Sequence, residues 1–274
     1  MSFVFEIARR MVNRPLALHR TDAEVLASLL DRPRGTASVE DAGGVTRPAT
    51  YERAYGIING VALIPINGVL FQSGCGWWDS TAYDWIRQTF LMAITDPDVR
   101  AVVLDINSPG GEVAGCFDLV DTIYGARGDK PIWAILNECA YSAAYAIASA
   151  ADRIVVPRTG GVGSVGVIWM HVDWSAALSE MGIKVTFITY GARKADGHPE
   201  IPLSKGALEH FQSDIDTMGD LFVETVARNR KIAAAKVRET EAATFLGAAG
   251  VEIGFADAVM APDAAFRALL KSIA

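Results

Sequence analysis

Three near-continuous apolar runs set the fold class of this chain. They are Gly60-Val61-Ala62-Leu63-Ile64-Pro65-Ile66-Asn67-Gly68, residues 100–106 and residues 131–136. Each has the length of a strand and lacks the alternation of a half-solvated one, so each has to be covered on both faces. Between and after them lie segments of helical spacing at residues 79–93 (Tyr83, Ile86 and Phe90 on one side), 112–124 and 142–151. Strands that alternate with helices predict an α/β domain with a mainly parallel sheet and covering helices. Residues 153–156 and 183–189 read as further strands, 206–231 as a long helix with a polar face, and 264–273 as a short amphipathic helix.

The chain divides into an N-terminal extension or arm over residues 1–55, a catalytic-type domain over 56–260 and a C-terminal helix over 261–274. Within the arm, residues 21–30 predict a short helix with Thr21 or Asp22 as its cap, and residues 31–50 carry the Pro, Gly and Asp of a linker. At 51% hydrophobic the 274 residues bury a substantial core, and a net charge of −7 argues against nucleic acid as a partner. The three cysteines, Cys75, Cys116 and Cys139, lack the spacing of a metal or redox site and predict reduced thiols. Cys139 precedes Ser142 by three positions and reads as a small buried residue before the helix. The N-terminus has its apolar part ahead of its charges, the wrong order for a secretory signal, and no stretch reaches bilayer length. A cytoplasmic protein without a membrane partner is the expectation.

Two segments stand where an α/β sheet places its chemistry, beyond the carboxyl ends of strands. Asn107-Ser108-Pro109-Gly110-Gly111 follows the second run, and Cys139-Ala140-Tyr141-Ser142-Ala143-Ala144 follows the third. Glycine N–H groups are open to a close approach, and an N–H in the first turn of a helix lacks an intrahelical partner. Gly111 and Ala143 are therefore the candidate oxyanion donors, and Ser142 the candidate nucleophile of an acyl-transfer site. Alone, Pro-Gly-Gly also describes a tight turn, and a serine at a helix start also describes an N-cap.

A serine nucleophile needs a base, histidine or lysine. Of the four histidines, His19 lies in the extension and His210 on the long helix; His198 follows Lys194 closely, and His171 follows a glycine-rich segment at residues 160–166. Among lysines, Lys194 has the most suitable setting, a loop flanked by Gly191, Ala192 and Ala195. An ordinary solvated loop lysine fits that spacing equally well. Burial would be needed to bring its amine toward neutrality.

The ordered motifs 105–111, 141–152, Gly163-Ser164-Val165-Gly166-Val167 and Gly191-Ala192-Arg193-Lys194-Ala195-Asp196-Gly197 resemble the signal peptide peptidase A family of serine–lysine peptidases. That family shares the ClpP/crotonase fold, and the resemblance spans roughly residues 60–259. Asn13-Arg14-Pro15-Leu16-Ala17-Leu18, Val113-Ala114-Gly115-Cys116-Phe117-Asp118 and Gly197-His198-Pro199 look most like its capsid-assembly members from tailed bacteriophages and prophages. The resemblance implies Ser142 as nucleophile, Lys194 as base, and Gly111 and Ala143 as oxyanion donors; Ser164, within a matching motif, is a candidate to orient the lysine and reads equally as a structural turn serine. It implies no metal and no organic cofactor. Its substrates would be polypeptides, capsid or scaffold proteins, and its setting the host cytoplasm or a procapsid.

This chain departs from the family in having Ser142-Ala143-Ala144 where Ser-Gly-Gly is usual. The membrane anchor of cellular members and the trailing scaffold region of some phage versions are also expected to be absent. Alternatives in view are a cytosolic cellular peptidase of the same family, a crotonase-type acyl-CoA enzyme, and a catalytically idle shell protein. Trp77, Trp78 and Tyr83 read as core aromatics in preference to a mobile flap. A homo-oligomer is expected, with neighbouring subunits helping to wall in the lysine.

Overall fold

The computed structural model describes residues 16–18, 53–74 and 80–274. In chain order its elements begin with β1 (Leu16–Leu18), β2 (Gly56–Ile58), β3 (Val61–Phe71), β4 (Ser80–Ala82), α1 (Tyr83–Thr95), β5 (Ala101–Glu112) and α2 (Cys116–Gly125). There follow β6 (Ile132–Tyr141), α3 (Ala143–Ser149), β7 (Arg153–Val156), β8 (Gly161–Gly163), α4 (Ser175–Glu180), α5 (Lys205–Arg230) and α6 (Ala234–Arg238). The chain closes with β9 (Thr244–Leu246), α7 (Gly247–Glu252), β10 (Ala258–Val259) and α8 (Pro262–Ser272).

The sheet runs β10-β7-β6-β5-β3-β2. The links β3–β5, β5–β6, β6–β7 and β7–β10 are parallel, and β2 joins β3 as an antiparallel hairpin. This is the mainly parallel α/β sheet with covering helices that the apolar runs predict. Along β5, Val102, Leu104 and Ile106 enter one core while Ala101 and Val103 enter the other. Along β6, Ile132, Ala134 and Leu136 divide in the same way from Trp133 and Ile135. Successive strand residues point to opposite faces, so a sheet covered twice needs unbroken apolar runs.

The larger core includes Ile86 and Phe90 of α1, Leu119 and Ile123 of α2, Tyr145 and Ile147 of α3, and Phe222 and Val226 of α5. The smaller is capped by Ala265 and Leu269 of α8. Tyr83 belongs to the larger core, as expected, and its hydroxyl donates to the Glu112 carbonyl at 2.7 Å. Trp77, Trp78, Cys75 and the short helix expected at 21–30 lie outside the described residues.

Two expectations are corrected. Residues 183–189 form no strand, because they find no neighbouring strand to complete a ladder among the described residues, and Ile188 is 97% exposed. Nor is Asn107–Gly111 a turn that closes a strand at Ile106: β5 continues through it to Glu112, and α2 starts only at Cys116. The reason is that β3 keeps pairing, Val69 with Gly110 and Leu70 with Gly111, after a register shift between Asn67 and Val69. A Cβ on Gly111 would sit 1.9 Å from the Leu70 carbonyl oxygen. Glycine is required there because the neighbouring backbone comes so close.

Candidate active site

Ser142 occupies the single residue between β6 and α3, with φ 54° and ψ −122°. A non-glycine residue in that region costs of order 1–3 kcal/mol and persists only where the surroundings impose it. They do so here. The Ser142 N–H donates to the Gly163 carbonyl at 2.9 Å, and the Ser142 carbonyl accepts from Ala146 N–H at 2.9 Å. The residue is held from β8 on one side and from the first turn of α3 on the other.

The side chain settles the choice between a cap and something else. A capping serine accepts from an N–H of the first helical turn, whereas Ser142 makes no such bond. Its Oγ is buried and has no hydrogen-bond partner among the described residues. A buried, unbonded hydroxyl costs about 1–3 kcal/mol, so this position carries both a strained backbone and an unsatisfied polar atom. Such features together mark a functional site better than a structural one.

Ala143 opens α3 next to this serine, and every residue of α3 is buried. Helix α3 is short and deep, so its last carbonyls need partners. Arg127 supplies them, donating from Nε to Ala150 O (2.8 Å) and from Nη2 to Ser149 O (2.8 Å) and Ala151 O (2.6 Å). Burial pulls the Arg127 guanidinium below its ordinary pKa, and the charge of Asp152 opposes this. A cation at a helix C-terminus also suits the helix dipole. Nothing in the sequence singled Arg127 out, because its partners are backbone atoms more than twenty positions away. Arg127→Ala leaves those carbonyls unpaired and is expected to destabilise the fold by about 2–4 kcal/mol. Urea unfolding would check this, with Arg127→Lys recovering only part of the loss.

Ser164 lies directly beyond Gly163, the residue that holds Ser142, and is itself buried at a positive φ of 57°. Its N–H donates to Ala243 O at 2.9 Å. The strand end of β6, the edge of β8 and the loop before β9 therefore bring Ser142 and Ser164 together. Gly111 stands on β5, whose Ser108 pairs with Ala140 of β6, two positions before Ser142.

Lys194 is exposed on the irregular segment that follows α4, with its N–H donating to Gly191 O at 3.2 Å. Among the described residues it makes no bond to Ser142, whose Oγ is unpaired. His171 makes none either: its Nε2 is buried without a partner among the described residues, and its ring stacks on Trp169 at 5.8 Å. His198 pairs with Glu200 and packs against Phe187 at 4.3 Å. Cys139 is only part-buried, not the buried filler expected, because its sulfur faces the rim of β5 near Asn107 and Ser108. Cys116 is buried, and burial pushes its thiol up to about 12, so it stays protonated and inert. Among the described residues, no helix is long and apolar enough to cross a membrane.

A serine on a strained strand-to-helix bend, beside a helix start and a glycine-bearing strand end, is an arrangement suited to acyl transfer. The chain belongs to peptidase family S49, whose sequence pattern matches residues 126–273. It is 38% identical over 267 residues to the head-tail preconnector protein GP5 of Enterobacteria phage P21, covering 89% of this chain and 53% of that protein. It is 32% identical over 271 residues to the capsid assembly protease C of Escherichia phage lambda, covering 92% of this chain and 62% of that protein. Protease 4 of Haemophilus influenzae is 24% identical over 208 residues, 75% of this chain and 33% of that protein. The chain thus spans between half and two thirds of the length of the two phage relatives. Among solved structures, a ClpP1 mutant from Listeria monocytogenes aligns over 72% of this chain and 90% of its own, with a TM-score of 0.46 and 12% identity.

Proposed function

We propose that this chain is a serine endopeptidase in which Ser142 attacks the scissile carbonyl and Lys194 takes its proton and returns it to the leaving amine. Water then resolves the acyl-enzyme. The N–H groups of Gly111 and Ala143 receive the oxyanion, and Ser164 orients the lysine amine. The observation that carries this reading is the buried, unbonded Ser142 Oγ on a strained backbone. Family membership supports peptide hydrolysis over acyl-CoA chemistry.

The exposure of Lys194 supports action in an assembly. A lysine base has to lose its proton, which solvation opposes. The segment that carries it also exposes Ile168, Met170, Trp174, Met181, Ile183, Ile188 and Tyr190. An apolar stretch of that size suits contact between copies of the chain, and a homo-oligomer would both cover it and enclose the lysine. The Trp77-Trp78 segment and most of the arm lie outside the described residues.

The substrate class we propose is the capsid or scaffold polypeptide of a tailed phage, cut in the host cytoplasm or procapsid. Support comes from the phage relatives, one of which is named a capsid assembly protease. The test is co-expression with capsid and scaffold proteins from the same genome, read by mass spectrometry, with a fluorophosphonate probe in parallel. The expected result is discrete cleavage together with a covalent adduct on Ser142. An adduct without cleavage would leave a peptidase with another substrate, and no adduct would overturn the serine mechanism.

A further inference from the structure

Strand β5 has two edges, and their occupants change along its length. On one edge β3 pairs with it from Ala101 to Gly111. On the other, β6 pairs from Val102 to Ile106 and, after a register shift, at Ser108 opposite Ala140. There β6 leaves to form the bend at Ser142. From Gly110 to Glu112 the vacated edge is taken by β1, running antiparallel: Leu18 opposite Gly110, Ala17 opposite Gly111 and Leu16 opposite Glu112. Since β3 still holds the first edge at Gly110 and Gly111, β1 lies on the side from which β6 has turned away, which is the side of the nucleophile.

A bare strand edge at a peptidase site is a template for an extended peptide, which adds as a strand through main-chain hydrogen bonds. A segment of the chain's own arm already occupies that template, with its central residue opposite the candidate oxyanion donor Gly111.

We propose that Leu16-Ala17-Leu18 is a tethered stand-in for substrate: polypeptide substrates add to β5 antiparallel at Gly110–Glu112, and they do so in competition with the arm. The inference rests on the peptidase reading of Ser142 for its meaning, but the competition can be measured without catalysis. The arm therefore regulates access. Release of β1, by assembly or by a partner that captures the arm, opens the site.

Proline lacks the N–H that a ladder needs and is confined to edges and bulges. The test uses the full chain with Ser142→Ala, with and without Leu16→Pro and Leu18→Pro. A fluorescein-labelled peptide covering residues 12–22 is titrated into each and followed by anisotropy. With an effective concentration on the order of 1 mM for a tethered segment, an occupant of roughly 0.1–0.3 mM intrinsic affinity weakens a competitor about three- to tenfold. The proline chain is expected to bind the peptide tighter by that factor, and equal affinity for both would overturn the proposal. With Ser142 intact, the same prolines should lower KM for a peptide substrate about three- to tenfold and leave kcat unchanged; a change in kcat alone would count against competition. On the unaltered chain, amide exchange at residues 16–18 should be slowed, and exchange at the free-peptide rate would overturn the contact even if the proline chain failed to fold. Absence of peptidase activity with the binding difference intact would refute the Ser142–Lys194 mechanism and leave the occupied strand edge standing.

Discussion

Ser142→Ala is expected to abolish turnover, by at least about a thousandfold, without weakening the fold. The usual cost of deleting a serine at a helix start is about 0.5–2 kcal/mol, because a cap is lost. Here there is no cap bond to lose, since Oγ is buried without a partner among the described residues. Removing the hydroxyl removes a desolvated polar atom, so stability should stay level or rise by about 1–2 kcal/mol. Ser142→Gly should rise further, because glycine adopts the φ of 54° without strain. Denaturant unfolding beside a peptide-hydrolysis assay would check both. Turnover within tenfold of the unaltered chain, or a destabilised Ser142→Ala, would contradict the assignment. A residue that lowers stability where it stands and is indispensable for turnover fits a catalytic role.

Lys194→Ala should lose nearly all turnover as well, while His171→Ala keeps most of it. Neither residue bonds to Ser142 within one chain, so local geometry alone does not rank them. The ranking comes from the family to which the chain belongs and from the surroundings of the two residues. His171 stacks on Trp169, while Lys194 is exposed on the segment that follows the exposed apolar residues at 168–190 in sequence. Turnover should rise with pH, since only the neutral amine accepts the serine proton. It should also rise with protein concentration, as the oligomer that encloses the lysine forms. Light scattering alongside a pH–rate profile would test the two together. A fully active monomer, or a flat profile from mildly acid to alkaline pH, would refute the link. If His171→Ala were the inactive variant, the base would be histidine.

What the sequence determined by itself was the layering of the domain and the strand ends where its candidate site residues lie. Unbroken apolar runs could only be strands covered on both faces, and Val102, Leu104 and Ile106 against Ala101 and Val103 show the division they encode. The alanine-rich segment after Tyr141 could only be a buried helix, so the serine at its start had to lie at a strand end. These are properties of neighbours in the chain, which periodicity reports directly.

Tertiary structure decided the rest, through contacts between residues far apart in sequence. Whether 183–189 became a strand depended on a partner strand, which the described residues do not supply, and whether β5 ran past Ile106 depended on β3 continuing beside it. Gly111 reads from sequence as a turn glycine, yet the need for it comes from the Leu70 backbone. Ser142 reads equally well as a cap, and only its bond to Gly163 and its unpaired hydroxyl distinguish it. Leu16-Ala17-Leu18 shows nothing of its pairing with Gly110–Glu112 until the two are folded together. Strand pairing and close backbone approach are set by where distant segments meet, and no local pattern of apolar and polar residues records that meeting.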